Sequence, residues 1–180
     1  MKKVLFLFGE LNDLDVDWLV GNGSTLRIPK GQTLIEEGKP IKGLYVVLEG
    51  SFEIQVERHG KQAIGRMGTG EVLGEISFID SRPPTTTALA LTDSVVFAIP
   101  RDQLAAKLKH DTGFAARFYR ALALFLSHRL RVLTLKYGAD GTRGSAETDE
   151  HSDELEDGVL SGVYLAGKRF ERMLKRLTVS

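Results

Sequence analysis

GEISFIDSRPPTTTA, residues 74–88, is the stretch on which the reading of this chain turns. Gly74 admits a backbone conformation or a close approach that a Cβ would forbid. Glu75, Ile76, Ser77 and Phe78 can continue as one short helical turn, whose first amide N–H groups have no partner inside the helix and suit an anion. Arg82 adds a cation, and Pro83 and Pro84 stiffen the chain behind it. Thr85, Thr86 and Thr87 then bring three hydroxyls at the start of a strand-like run, although β-propensity alone would also place threonines there.

Outward from this stretch the pattern is one of short strands. From Ser24 to Pro100, runs rich in β-branched and aromatic residues alternate with glycine turns. STLRI, TLI, GLYVVLEG, SFEIQVE, KQAIGRM and EVL precede it; TTALAL and SVVFAIP follow. In SFEIQVE, Phe52, Ile54 and Val56 alternate with polar neighbours, the period of a half-buried strand. Eight short strands with glycine at nearly every corner predict a mainly β domain over residues 24–100, a jelly-roll barrel or sandwich with flanking helices.

The flanks are helical. In residues 1–23, MKKVLFLFG holds an apolar run too short for a signal peptide, and is expected to pack as an N-terminal segment. LNDLDVDWLV follows, with Leu11, Leu14, Trp18 and Leu19 at helical spacing, Asn12 or Asp13 as N-cap, and GNG as the stop. In residues 101–137, RDQLAAKLKHD predicts a short helix, and a long one runs from about Thr112 to Tyr137. Its apolar positions, Phe114, Phe118, Leu122, Phe125, Leu126, Leu130, Leu133 and Tyr137, recur at spacings of three and four. Leu124, Val132 and Leu135 widen the stripe, so more than one face is expected to be covered: one by its own barrel, another by a second copy in a homodimer.

Residues 138–157, GADGTRGSAETDEHSDELED, hold almost nothing apolar and are expected to form a flexible acidic linker. Residues 158–180 set Phe170, Met173, Leu174 and Leu177 on one helical face, with Lys168, Arg169, Arg172, Lys175 and Arg176 around the rest. Such a basic amphipathic tail fits an acidic protein or a membrane surface. It would equally fold back on the body or pair with the acidic linker. Gly162 and Gly167 each cost roughly 1 kcal/mol of helix propensity, so ordering is expected on contact.

The whole chain of 180 residues carries 24 basic and 24 acidic residues, so no global charge draws it to nucleic acid. It has no cysteine, which excludes disulfides and thiolate chemistry and fits the cytoplasm. No apolar run approaches a membrane span.

With these residues in view, the chain resembles the cyclic nucleotide-binding domain family, the module of the catabolite activator protein, the regulatory subunit of cAMP-dependent protein kinase and cyclic-nucleotide-gated channels. Three stretches over about residues 11–137 carry the resemblance. IPKGQTLIEEGKP is similar to the family's entry strands, GLYVVLEGSFEI to its central hairpin, and GEISFIDSRPPTTTALA to its phosphate-binding cassette. The resemblance implies that the Gly74–Ser77 turn meets a cyclic phosphate, that Glu75 accepts from a ribose 2′-hydroxyl, and that Thr85 and Thr86 add backbone or hydroxyl bonds. Pro83 and Thr87 match the family's proline and threonine.

One position departs. Where the family has its phosphate-binding arginine, this chain has Pro84. An arginine fork supplies two charge-assisted hydrogen bonds, so its loss is expected to weaken a cyclic phosphate about 10- to 100-fold or more. Arg82, two residues upstream, either swings in as a substitute or stays a solvent-facing loop residue. Glu75 has its own plainer role open, as a carboxylate capping its turn.

The histidines, His59, His110, His128 and His151, show no ligand spacing, so no metal or other cofactor is expected, and no nucleophile–base set or phosphate loop suggests an enzyme. The segment after Tyr137 is too short for a helix-turn-helix, so nucleic acid is not expected as a partner. The expected function is a non-enzymatic regulatory protein that senses cAMP, cGMP or a related small ligand and signals through a helix to a partner. The alternative is a ligand-free dimerisation or docking scaffold that keeps the fold.

Overall fold

The computed structural model describes residues 4–57, 60–138 and 157–178. Eight strands form a sandwich: β1 (Ser24–Ile28), β2 (Thr33–Ile35), β3 (Gly43–Glu49), β4 (Ser51–Val56), β5 (Gln62–Gly68), β6 (Val72–Leu73), β7 (Thr87–Ala90) and β8 (Ser94–Pro100). They pair antiparallel in two four-stranded sheets, β1-β8-β3-β6 and β2-β7-β4-β5. β4 alternates buried and half-buried residues with the period of two that the sequence shows, whereas β3 is buried continuously from Gly43 to Val47. Leu44 pairs with Ile99 and Val46 with Phe97 in one sheet, while Phe52 pairs with Ala90 and Ile54 with Ala88 in the other. These side chains are buried and join one continuous core. Between β3 and β4 the chain turns at Gly50 with φ 90°, where a Cβ would collide with the Ser94 side chain.

The N-terminal segment is two helices rather than one. Val4–Glu10 (α1) buries Val4, Leu7 and Phe8, and the Val4 N–H donates to the Gly70 carbonyl at 2.8 Å. Asp13–Asn22 (α2) starts on a capping box: Asn12 Oδ1 accepts from the Asp15 N–H, and Asp15 Oδ2 accepts from the Asn12 N–H, each at 2.9 Å. Its inward face differs from the expected one. Leu14 is 78% exposed, while Asp15 is buried. The cause is an ion pair across the fold, in which the Arg117 guanidinium donates to both Asp15 oxygens at 2.6 and 2.8 Å. That pair rotates Asp15 inward, with Val16 and Leu19 beside it and Leu14 turned to water.

After β8 come α4 (Arg101–His110) and α5 (Thr112–Gly138). Along α5, Phe114, Phe118, Ala121, Leu122 and Phe125 are buried. A second set, Ala116, Tyr119, Ala123, Leu126 and Leu130, alternates by three and four residues on a face that is exposed or half-exposed. The side chains of Leu133 and Tyr137 lie outside the described residues, as do residues 139–156, which contain almost all of the expected acidic linker. His128 on α5 sets its ring 5.3 Å from that of Phe6 on α1.

The basic tail forms α6 (Asp157–Thr178) and lies on α1 and α2. Ala166, Phe170 and Met173 are buried there. Phe170 meets the ring of Phe8 at 6.0 Å, Arg169 donates to Asp13 at 2.8 Å and to the Phe8 carbonyl at 3.0 Å, and Arg172 reaches Asp17 at 3.1 Å. Of the possibilities open in the sequence, the structure shows folding back on the body. Among the described residues of the expected apolar face, Phe170 and Met173 are covered by the chain's own N-terminus and Leu174 is half-buried, while the side chain of Leu177 lies outside the described residues.

This docking makes a prediction. Met173→Glu puts a charge at a fully buried position, and even truncation of such a methionine costs about 2–5 kcal/mol. Amide hydrogen exchange across residues 164–175 should accelerate while β3 and β8 keep their protection; unchanged exchange in α6 would refute the docking. Acid acts in the same direction more weakly. The Arg169 hydrogen bond holds the Asp13 carboxyl below its ordinary 3.8. A depressed carboxylate stabilises the docked state at pH above that ordinary value, and its contribution fades as pH falls through 3.8 and below.

Candidate functional site

The quoted stretch folds as expected of a short helical turn. Gly74 takes φ 89°, and a Cβ on it would stand 3.1 Å from the Gly43 carbonyl oxygen and against Ile35 and Ile41. This left-handed glycine turns β6 abruptly into α3 (Glu75–Asp80). Ser81 ends α3 in the left-handed region at φ 57°, and the Arg82 N–H donates to Asp80 Oδ1 at 3.0 Å.

A cavity of about 210 Å³ opens beside this turn, on the inner side of the roll. Ile35, Ile54, Met67, Val72, Leu73 and Ala88 give it an apolar floor. The seven residues expected at a ligand, Gly74, Glu75, Ile76, Ser77, Arg82, Thr85 and Thr86, all line it, together with Pro83 and Pro84. Their surroundings differ. Glu75 and Ser77 are buried, Ile76 is half-exposed at the wall, Thr86 is half-buried, and Arg82 and Thr85 stand in solvent at the mouth. Pro84 is buried, and its carbonyl accepts from the Gly38 N–H at 2.8 Å. Thr87 falls behind the wall, where its Oγ1 accepts from the Glu37 N–H at 3.0 Å, joining β7 to the loop after β2.

Two arginines complete the site, and neither was among the expected site residues. Arg129 of α5 also lines the cavity, and its Nη1 donates to Glu75 Oε1 at 2.7 Å. The Glu75 side chain is 5% exposed, so it depends on such a partner: a buried carboxylate is stable as an ion when paired and hydrogen-bonded. Sequence carried a signal for this. Arg129 follows Phe125 by four residues and Leu122 by seven, so it stands in register with the buried stripe, where a cation calls for a carboxylate. Arg101, the first residue of α4, donates to the Ser77 carbonyl and to Ser81 Oγ, both at 3.0 Å, and lies 5.6 Å from the centre of the Phe78 ring. It clasps the C-terminal end of α3, where carbonyl oxygens lack helical partners and a cation is favoured.

Helix α3 is therefore held from two sides. Arg101 fixes it to α4, while Phe118 and Arg129 fix it to α5. The Phe118 ring stands edge-on to Phe78 at 6.1 Å.

Residues 25–111, the roll with this cassette and α4, match the Cyclic nucleotide-binding domain family. The chain belongs to the cyclic nucleotide-binding domain family. A cAMP-dependent protein kinase regulatory subunit from Mucor circinelloides f. lusitanicus is 29% identical over 114 residues, which are 63% of this chain and 26% of that protein. The chain thus spans about a quarter of that relative's length. The crystal structure of the N-terminal domain of a transcriptional regulator from Streptomyces coelicolor A3(2) is 31% identical, with a TM-score of 0.60 over 72% of this chain and 94% of that one. A cyclic nucleotide-binding domain from Methylobacillus flagellatus KT shares the fold with a TM-score of 0.68, over 81% of this chain and 84% of that one, at 23% identity. No described helix of this cyclic nucleotide-binding domain protein is long and apolar enough to cross a membrane.

Proposed function

We propose that this protein is a non-enzymatic regulatory module that senses a cyclic nucleotide, cAMP or cGMP, in the cavity beside α3 and passes the event through α4 and α5. One observation supports this most: the cassette residues gather round a single cavity, with Glu75 buried in its wall. Glu75 receives the ribose hydroxyl. The first-turn amides, with Ser77, Thr85 and Thr86, meet the phosphate, and the apolar floor takes the rest. Arg101 is the transmitter to α4, because a ligand that tightens α3 acts on the Ser77 carbonyl and Ser81 hydroxyl it holds. The change is a population shift, limited by the ligand's differential affinity for the two arrangements.

The unit of action is a homodimer through α5. The alternation of Ala116, Tyr119, Ala123, Leu126 and Leu130 follows the 3.5-residue repeat of a coiled-coil seam, on the side of α5 turned away from the roll. Sedimentation equilibrium of the full chain is expected to give the mass of two chains. The tail reaches an outside acidic protein or membrane surface when α6 leaves α1.

A second reading, a scaffold that has lost its ligand, is favoured by Pro84 and by the arginine already paired to Glu75. Isothermal titration calorimetry of the full chain with cAMP and cGMP decides between the two. Micromolar binding supports the sensor; no heat at millimolar ligand leaves the scaffold.

A further inference from the structure

We propose that Arg129 is the anion anchor of this cavity for the cyclic nucleotide, delivered from α5 rather than from the cassette. This rests on the sensor reading above. The wall from residue 82 to residue 87 offers an anion little charge. Pro83 and Pro84 have no N–H. The Pro84 carbonyl is an acceptor, bonded by the Gly38 N–H, and Thr87 lies behind the wall with its Oγ1 bonded by the Glu37 N–H. Arg82 stands in solvent, where water screens its charge.

Arg129 is placed differently. Its side chain is 32% exposed, it lines the cavity, and it is oriented by the 2.7 Å bond to Glu75. A guanidinium carries five N–H donors in a planar fork. One bond to a carboxylate fixes that fork without using it up; Glu75 offsets much of the charge, so it is the remaining N–H donors, directed in a partly buried wall, that an anion meets. Glu75 brings acceptor oxygens to the same spot. Donors for an anion therefore lie next to acceptors for a hydroxyl, the pattern that a cyclic nucleotide presents with its 3′,5′-cyclic phosphate beside its ribose 2′-hydroxyl. A free phosphate would offer the first group without the second.

The test is calorimetry of the full chain with cAMP and with adenosine, which has the hydroxyl and base but no anion. Wild type, Arg129→Met and Arg129→Lys are compared, each checked by thermal melting. Wild type is expected to prefer cAMP to adenosine. Arg129→Met should weaken cAMP about 10- to 100-fold and weaken adenosine less, through the Glu75 it leaves unpaired, so that the preference for cAMP shrinks. Arg129→Lys, which keeps the charge without the fork and keeps Glu75 paired, should fall between, and it carries the test if the methionine variant does not fold. If a folded Arg129 variant binds cAMP as tightly as wild type or more tightly, Arg129 is no anchor, while the sensor reading stands. If wild type binds no cyclic nucleotide, both fall together.

Discussion

Truncating Phe118 to alanine lowers the free energy of unfolding by about 3–5 kcal/mol, the range for a fully buried phenylalanine. Phe118 is 0% exposed, stacked on Phe114 at 5.7 Å and edge-on to Phe78 at 6.1 Å. Both the lost transfer energy and the lost ring contacts count, because neither neighbour can follow the vacated volume: Phe114 is fixed on α5, and Phe78 is held on α3 under Arg101. Against a usual total of about 5–15 kcal/mol, the loss is large. In urea the midpoint should fall with an unchanged slope, since the same surface is exposed on unfolding. A loss under about 1 kcal/mol would mean that α5 does not seat on α3 as described. The comparison variant is Tyr119→Ala. At 48% exposure on the other face, its effect in dilute protein should stay within about 0.5 kcal/mol.

Replacing Pro84 with arginine raises cAMP affinity about 10- to 100-fold. Two charge-assisted bonds would contribute roughly 1.5–3 kcal/mol each, at about 1.4 kcal/mol per tenfold. One effect pulls the affinity gain below that sum, and another costs stability instead. Loss of the proline ring frees the unfolded chain, at about 0.4–1 kcal/mol of stability. The new cation also shares its cavity with Arg129, and like charges oppose each other. In compensation, residue 84 acquires an N–H, and its carbonyl bond to Gly38 involves no side-chain atom. Calorimetry of the two proteins side by side reads the ratio. Equal affinities would show that the wall at residue 84 is not aimed at the ligand's anion.

The parts of the molecule that could be read in advance are those determined by near neighbours in sequence. STLRI, TLI and SVVFAIP are strands with the same first and last residues in the structure as in the chain pattern, because β-branched alternation bounded by glycine or proline is a local property. The limits of α5 follow from its three- and four-residue repeat, and of the two caps open for α2, Asn12 or Asp13, the structure uses Asn12. What escaped was fixed by residues far apart. Leu14 looked apolar and inward, but Asp15 takes the inward place through Arg117, 102 positions away. Of the site, the cassette was legible; Arg129 showed as a cation in register with the buried stripe, but which carboxylate it meets did not, and nothing pointed to Arg101. Glu75 meets Arg129 across 54 positions, and Arg101 reaches Ser77 across 24. The tail showed its two-faced character plainly, yet the face that covers it lies on α1 and α2, about 155 residues back.

Residues 128, 129 and 130 take three directions within one turn of α5. His128 rests against Phe6 on α1, Arg129 holds Glu75 in the cavity wall, and Leu130 is 65% exposed on the outward seam. Successive helical residues differ by about 100° in direction and 1.5 Å in height, so the three are spokes of one short axle. That turn cannot rotate to suit one neighbour without being felt by the other two. Free-energy linkage then makes the influence mutual. Whatever packs against Leu130 or moves α1 away from His128 should alter the Arg129–Glu75 pair in the cavity wall, and a change in that pair should alter those contacts by the same factor.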